Sequence, residues 1–264
     1  MRIGIFQSSP QKGQVGINLD RIATVLCLYP GVDLWVMPEL ATTGYLFHDE
    51  TEVRRLAEPV PGGATTGRLR ELTAQLDTAL VIGVAERAED GCFNSALVFE
   101  RGTLSACYRK IHLFWDEKRW FRPGQHPPPV VKIGDATVGV MICFDWIFPE
   151  TARSLALQGA QLIVHPSNLV LPYCQDAMLT RSLENRVFTV TANRIGSESL
   201  AGGKQLTFTG RSQLTTPDGE RLLRLSADRE EVAIVNIDPA RADNKWLTPA
   251  NHLFEDRREL LDHF

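Results

Sequence analysis

Residues 33–40, DLWVMPEL, and residues 161–168, QLIVHPSN, read as one short phrase written twice: an apolar run, a proline, then a polar residue. Such a run reads as a buried strand giving out into a loop, because proline cannot continue the ladder. A helical pattern precedes each copy, near 17–28 and near 149–158. A second helix and a second buried-looking strand follow each, ALVIGVAE from residue 79 or VFTVTANR from residue 187. The simplest architecture for this arrangement is two similar halves whose sheets pack face to face with helices outside. A chance likeness between two strand-proline endings is the competing reading.

Outward from these segments, hydrophobic period and breakers place strands near 2–7, 33–37, 79–85, 94–99, 103–108, 136–142, 161–165 and 187–192. A strand pair near 208–216 and 221–225 surrounds the turn signal Pro217-Asp218-Gly219-Glu220, and another strand follows near 231–237. Helices fit 17–28, 64–76, 149–158 and 175–186. Strands and helices alternate in the α/β manner, with hairpins added. The prolines at 127–129 form a rigid approach to the next strand and are too few for a linker. One domain over residues 1–264 is expected, with a final stretch of some 20 residues, rich in Asp and Arg, extended over the surface or a partner subunit.

Hydrophobic residues at 44% and charged residues at 23% are ordinary globular values, and a net charge of −4 argues against nucleic acid as a partner. Met1 leads directly into the strand-like RIGIFQ, and no apolar run approaches the roughly 18 residues of a spanning helix, so a cytoplasmic protein that engages no membrane is expected. Five cysteines, at 27, 92, 107, 143 and 174, are odd in number and form no CxxC pair, which in a reducing compartment means thiols.

Three of the predicted strands end beside chemistry: Glu39 after WVMP, Lys110 after the run to 108, and Cys143 after ATVGVMI. In open α/β proteins ligands gather at such strand ends. A carboxylate, an ammonium and a thiol brought together supply a general base, an oxyanion stabiliser and a nucleophile. Cys143 stands between a strand and the helix PETARSLALQG, whose Pro149 suits a first turn; such an elbow exposes a nucleophile and aims backbone N–H groups at the reacting oxygen. The helix N-terminus and a lysine are expected to lower the thiol pKa. Taken singly, Glu39 also reads as a solvated loop carboxylate, Lys110 beside Arg109 as a surface basic pair, and Cys143 as a packing residue. Cys27, Cys92 and Cys107 read as packing or surface thiols, and Cys174, in LPYCQD, as a candidate for the pocket border.

The segments PELATTGY, YRKIHLFWDEKRWFRPG and GVMICFDWIFPE, in that order, resemble the nitrilase superfamily of carbon-nitrogen hydrolases. RSLENRVFTVTANRIG, TPDGE and LFEDRRELL look like it too, so the likeness covers nearly the whole chain. The resemblance implies a four-layer α-β-β-α sandwich of two similar halves, assembled as a homodimer or higher homo-oligomer. It implies Cys143 as nucleophile, Glu39 as general base and Lys110 as oxyanion stabiliser, with the N–H of Phe144 as a further donor to the oxyanion. Glu117, seven residues after Lys110, matches the second glutamate many members keep beside the triad; Asp116-Glu117-Lys118-Arg119 also reads as a charged surface turn.

Neither His112 nor His165 carries a papain-like signature; His112 is expected to pack beneath Lys110 and His165 to line the pocket. There is no GxSxG, HExxH or GxxxxGK[ST], and neither metal nor cofactor is expected. Relatives that act on N-carbamoyl amino acids or keto-acid amides commonly place an Arg three or four positions after the Cys; here those positions hold Trp146 and Ile147, which predicts a neutral or apolar acyl group. Asn168, Tyr173 and Tyr45 are candidates for hydrogen bonds at the mouth, and Arg181 and Arg194 for a carboxylate anchor. The expected activity is an amidohydrolase that releases ammonia from a small amide or a carbamoyl amine through a thioester. A nitrilase, disfavoured by CFD where nitrilases usually have CWE, an amide-forming acyltransferase and a non-catalytic binding protein on the same fold are the alternatives.

Overall fold

Side-chain alternation sorts the first strands into two faces. In β1 (Arg2–Gln7) Ile3 and Ile5 join one apolar cluster and Phe6 another. In β2 (Leu34–Val36) Leu34 and Val36 side with the former, while Trp35 sides with the latter. The computed structural model describes residues 1–258. Between these strands lies α1 (Val15–Leu28), and α2 (Glu50–Leu56) and α3 (Ala64–Gln75) lead to β3 (Ala79–Ala88), β4 (Gly91–Glu100) and β5 (Thr103–Arg109). The short α4 (Glu117–Trp120) precedes β6 (Val130–Ile133), β7 (Ala136–Val140), α5 (Pro149–Leu157), β8 (Leu162–Pro166), α6 (Cys174–Asn185) and β9 (Phe188–Ala192). The hairpin β10 (Ser197–Ser199) and β11 (Gln205–Thr207) comes next, then β12 (Gln213–Thr215), β13 (Arg221–Arg224), β14 (Glu231–Asn236) and a last small hairpin, β15 (Trp246–Thr248) with β16 (Asn251–His252).

Two six-stranded sheets result, ordered β14-β1-β2-β3-β4-β5 and β13-β12-β9-β8-β7-β6. Reversing the second order aligns them: β1-β2-β3 are parallel, as are β7-β8-β9, and each trio has an antiparallel pair on one flank and a single antiparallel strand on the other. The likeness of 33–40 to 161–168 is therefore a structural repeat that equates β2 with β8. Ile3, Ile5, Leu34, Val36, Val81, Ala96 and Val98 join Val138, Val140, Leu162, Val164 and Val190 in one apolar core between the sheets. Helices α1 and α3 cover the outer face of the first sheet through Leu19, Ile22, Leu26, Leu69 and Leu72, and α5 and α6 cover that of the second. This is the four-layer α-β-β-α sandwich expected. Burying apolar side chains on both faces of each sheet is the main stabilising term, roughly 25 cal/mol per Å².

Several expectations are corrected. The strand read at 208–216 shrinks to Gln213–Thr215, because Phe208–Ser212 spends its N–H groups on other loops, such as Thr209 on Leu169 O at 2.9 Å and Gly210 on Arg194 O at 3.1 Å. Helix α2 was not legible from hydrophobic period; it starts from Asp49, whose side chain accepts the Glu52 N–H at 2.8 Å. The triple proline leads into β6, an edge strand shorter than the period reading detects. The start of the expected terminal tail forms the β15–β16 hairpin, while the end of LFEDRRELL, residues 259–261, lies outside the described residues. No helix among the described residues is long and apolar enough to cross a membrane.

Two glycines let the site loops approach the first sheet. A Cβ on Gly83 would lie 2.4 Å from Glu39 Cα, and the Gly83 N–H donates to Pro38 O at 3.0 Å. A Cβ on Gly124 would lie 2.1 Å from Arg109 O, and the Gly124 N–H donates to Lys110 O at 2.9 Å. Both loops are held by backbone contacts that no side chain leaves room for.

Candidate active site

The ends of β2, β5, β7 and β8 deliver Glu39, Lys110, Cys143 and Asn168 to one end of the sandwich. Lys110 is fully buried, and its Nζ lies 2.6 Å from Glu39 Oε1 and 2.8 Å from Glu117 Oε2. Glu39 Oε1 also accepts from Asn94 Nδ2 at 2.7 Å, which leaves Glu39 Oε2 buried without a hydrogen-bond partner. Glu117 receives the Tyr45 hydroxyl at 2.7 Å and the Phe114 N–H at 3.3 Å. The structure thus brings Glu39, Lys110, Glu117 and Tyr45 into one connected network, with Glu117 buried as the first residue of α4.

Electrostatics follows from this packing. Burial pulls the Lys110 ammonium down, but Glu117 and Glu39 outweigh it, so its pKa stands above the ordinary value and the charge is held. Burial and then the Glu39 charge raise the Glu117 carboxyl to about 7 against the opposing pull of Lys110. Tyr45 is raised well above its ordinary value by burial and the nearby carboxylates, so it remains a phenol that donates. The thiol differs from expectation. Cys143 is buried, at 4% exposure, and burial, followed by Glu39, pushes its pKa well up, against the lowering effect of Lys110 and the Asn168 N–H. The resting sulfur is therefore a thiol and not a standing thiolate.

A left-handed residue and a short 3-10 helix build the elbow. Cys143 has φ of +40° and opens the turn Cys143–Ile147, one residue before α5. Positive φ at a non-glycine residue is unfavourable and is held here by the surroundings. Asp145, fully buried, accepts the Ile142 N–H at 2.9 Å and the Tyr108 hydroxyl at 2.9 Å, and meets His112 Nδ1 at 2.8 Å. His112, stacked on Phe148 at 3.8 Å, therefore braces the elbow. His165 Nε2 lies 2.8 Å from Cys143 O and its Nδ1 3.1 Å from Thr191 Oγ1; burial lowers its pKa to about 4, so it is neutral.

The cleft beside Cys143 is lined by Phe114, Phe144, Trp146, Asn168, Leu169, Val170 and Leu171. Of the residues expected there, Phe144, Trp146 and Asn168 border it. His165 sits beneath the Cys143 elbow, Tyr45 behind Glu117, and Tyr173, 63% exposed, at the N-terminus of α6. Cys174, the first residue of that helix, is buried, and burial raises its thiol pKa. Arg181 is spent on Trp146 O at 3.1 Å and on Glu184 at 3.0 Å, and Arg194 on a buried ion pair with Glu198. Asn94 and Phe114 escaped the sequence reading, although an Asn inside the strand CFNSALV is unfavourable there and is a signal in itself.

A sequence model of the family described as carbon-nitrogen hydrolase matches residues 2–244. A protein of Pyrococcus abyssi named nitrilase is 45% identical over 229 residues, 87% of this chain and 86% of its own. An (R)-stereoselective amidase of a Pseudomonas species is 32% identical over 271 residues, 99% of this chain and 93% of its own. Among solved structures, an amidase from Nesterenkonia sp. AN1 superposes with a TM-score of 0.81 at 28% identity, covering 99% of this chain and 98% of that one. That structure is of a glutamate-to-glutamine variant with acrylamide added at its active-site cysteine.

Proposed function

The chain belongs to the carbon-nitrogen hydrolase family, and from that membership we propose that it hydrolyses the C–N bond of a small amide with a neutral, apolar acyl group, through a thioester on Cys143, releasing ammonia. The observation that carries this reading is the division of labour at Glu39: Oε1 is held by Lys110 and Asn94, while Oε2 is buried and unpaired. An unpaired carboxylate oxygen on a side chain whose charge acts on the Cys143 thiol supports Glu39 as the group that takes its proton.

In this mechanism the Cys143 S–H proton passes to Glu39 as Sγ bonds to the amide carbon. The Lys110 ammonium and the Phe144 N–H meet the oxyanion, each donor typically worth about 3 kcal/mol in such sites. The C–N bond breaks as Glu39 returns the proton to nitrogen, and ammonia leaves the thioester. Water then loses a proton to Glu39 as it adds to the acyl carbon. The C–S bond breaks, the sulfur recovers the proton, and the carboxylic acid departs. Glu117 keeps Lys110 charged and in place.

The apolar lining from Phe114 to Leu171 and the prior engagement of Arg181 and Arg194 support an uncharged acyl group. A second reading, a nitrile as substrate, is favoured by the 45% identity to the Pyrococcus abyssi protein named nitrilase. Amide-forming acyl transfer and a non-catalytic role use the same fold. Ammonia release from a panel of amides, carbamoyl amines, carbamoyl amino acids and nitriles, with the Cys143→Ala variant alongside, separates these. Cysteine-dependent release from amides is expected; release from nitriles alone, or none, overturns the reading. As a working form, we take the enzyme to be cytoplasmic and at least a dimer, and a monomeric mass in light scattering would refute the latter.

A further inference from the structure

The two halves of the fold differ where β9 runs on to β12. In the first half the equivalent strands β3 and β4 are joined by Glu89 and Asp90 alone, whereas residues 193–212 intervene in the second and throw out the β10–β11 hairpin. That hairpin reaches back to the first half at two points. Buried Glu198 accepts the N–H of Tyr45 at 3.0 Å and of Leu46 at 2.7 Å, and is itself paired with the buried Arg194. Lys204, on the hairpin turn, pairs with Asp116 and lies 4.0 Å over the Trp115 ring.

Both contacts converge on one side chain. Tyr45 bonds Glu117, and Asp116 directly precedes it. The loop around Tyr45 has little freedom. Gly44, at φ of +81°, passes so close that a Cβ would lie 2.7 Å from Glu198 Oε1, and the Tyr45 ring abuts Phe208 edge to face at 5.8 Å. Phe208 in turn lies 4.1 Å under the Arg194 guanidinium. Buried N–H groups need an acceptor, and Glu198 supplies it from the other half of the chain.

We propose that the β10–β11 hairpin is a positioning device anchored by Glu198, which holds Tyr45 against Glu117 and thereby holds Glu117 against Lys110. The inference rests on the reading of Lys110 and Cys143 as catalytic groups. Glu198 and Lys204 are positioning residues and touch no substrate. The charged and titratable groups facing Glu117 are Lys110, Glu39, Tyr45 and Cys143. Burial and Glu39 favour its protonated form, while Lys110 and the Tyr45 hydroxyl favour the ionised one. Loss of the Tyr45 bond therefore lets Glu117 keep its proton to higher pH.

The test uses the full chain and two pH series: amide hydrolysis, and alkylation of Cys143 by iodoacetamide followed by peptide mass, which requires no amide to be a substrate. In Glu198→Gln and in Tyr45→Phe, the limb belonging to Glu117 is expected to move to higher pH by about half a unit or more. For Glu198→Gln, kcat is expected to fall about tenfold to a hundredfold with KM little changed. The double variant should move the limb no further than either single. Lys204→Met, at a half-buried position of the hairpin turn, should move it the same way by less, and stands in for Glu198→Gln if that variant does not fold. An unmoved limb in the folded variant, or additive shifts in the double, overturns the proposal. A parent that hydrolyses no amide but shows the alkylation shifts sinks the proposed activity and leaves the positioning role standing.

Discussion

Asn168, at the end of β8, donates its side-chain amide to the backbone carbonyl of Glu39, at the end of β2, at 2.9 Å. Strands β2 and β8 are equivalents in the internal repeat, so the bond ties the matching ends of the two halves together beside Cys143. Asn168→Ala removes a buried donor and leaves the Glu39 carbonyl unpaired. The expected result is a loss of about 1–3 kcal/mol in urea unfolding and a fall in kcat/KM of about tenfold or more as the Glu39 loop shifts. Unchanged turnover would show that the loop does not depend on this bond.

Cys143→Ala is expected to abolish turnover and covalent addition of acrylamide at this position while leaving circular dichroism and the melting transition near those of the parent. The change removes a single buried sulfur atom where the side chain borders the cleft, so little packing is lost. Residual hydrolysis in this variant, measured with contaminant-free protein, would exclude the thioester route.

Two buried groups give stability opposite pH slopes. The Glu117 carboxyl, raised to about 7, keeps a proton that the unfolded chain has released, so its contribution falls as pH rises from the ordinary carboxyl value, ~4.3, to about 7. His165, lowered to about 4, refuses a proton that the unfolded chain takes up, so its contribution is lost as pH falls from ~6.5 to about 4. Glu117→Gln should therefore make stability rise more steeply with pH between about 4 and 7 than it does in the parent. Parallel curves from urea unfolding across that range would contradict the assignment.

Selectivity should follow the apolar cleft. With Trp146 at its wall and both Arg181 and Arg194 engaged, a substrate carboxylate finds no free cation among the described residues that line the cleft. An uncharged amide is expected to exceed an N-carbamoyl amino acid of similar size by about a hundredfold or more in kcat/KM, the scale set by burying an unpaired charge. Comparable values for the two would place a carboxylate anchor elsewhere in the site.

Gly83→Ala should be among the most damaging single-methyl additions in the chain. The new Cβ would collide with Glu39 Cα and with the Leu40 backbone nitrogen, 2.6 Å away, and backbone cannot step aside as a flexible side chain can. Overpacking of this kind typically costs about 1–3 kcal/mol, and the displaced Glu39 should lower kcat more than it raises KM. Activity at the parent's level would mean that the loop relaxes without moving the carboxylate.

Much of this architecture was legible in neighbouring residues alone. The strands β1, β3, β8 and β9 and the helices α1, α3, α5 and α6 announce themselves through apolar period and breakers, since each buries one or both faces along its whole length. The repeat from Asp33 and from Gln161, and the polar residues that end three strands, follow from the same local grammar. Short elements such as α2, β6 and the β10–β11 hairpin carry too few residues for a period to stand out, and they owe their shape to distant partners.

Local pattern was enough to suggest two packed sheets and to set Glu39, Lys110 and Cys143 at strand ends, because alternation and turn chemistry act over a few residues. What those groups feel came from the folded arrangement. It buried the thiol and raised its pKa, placed His165 beneath Cys143 instead of in the cleft, engaged Arg181 and Arg194, and brought Asn94, Tyr45 and Glu117 around Lys110. Burial and Coulomb interaction sum over all neighbours in space, and those neighbours come from strands far apart in the chain.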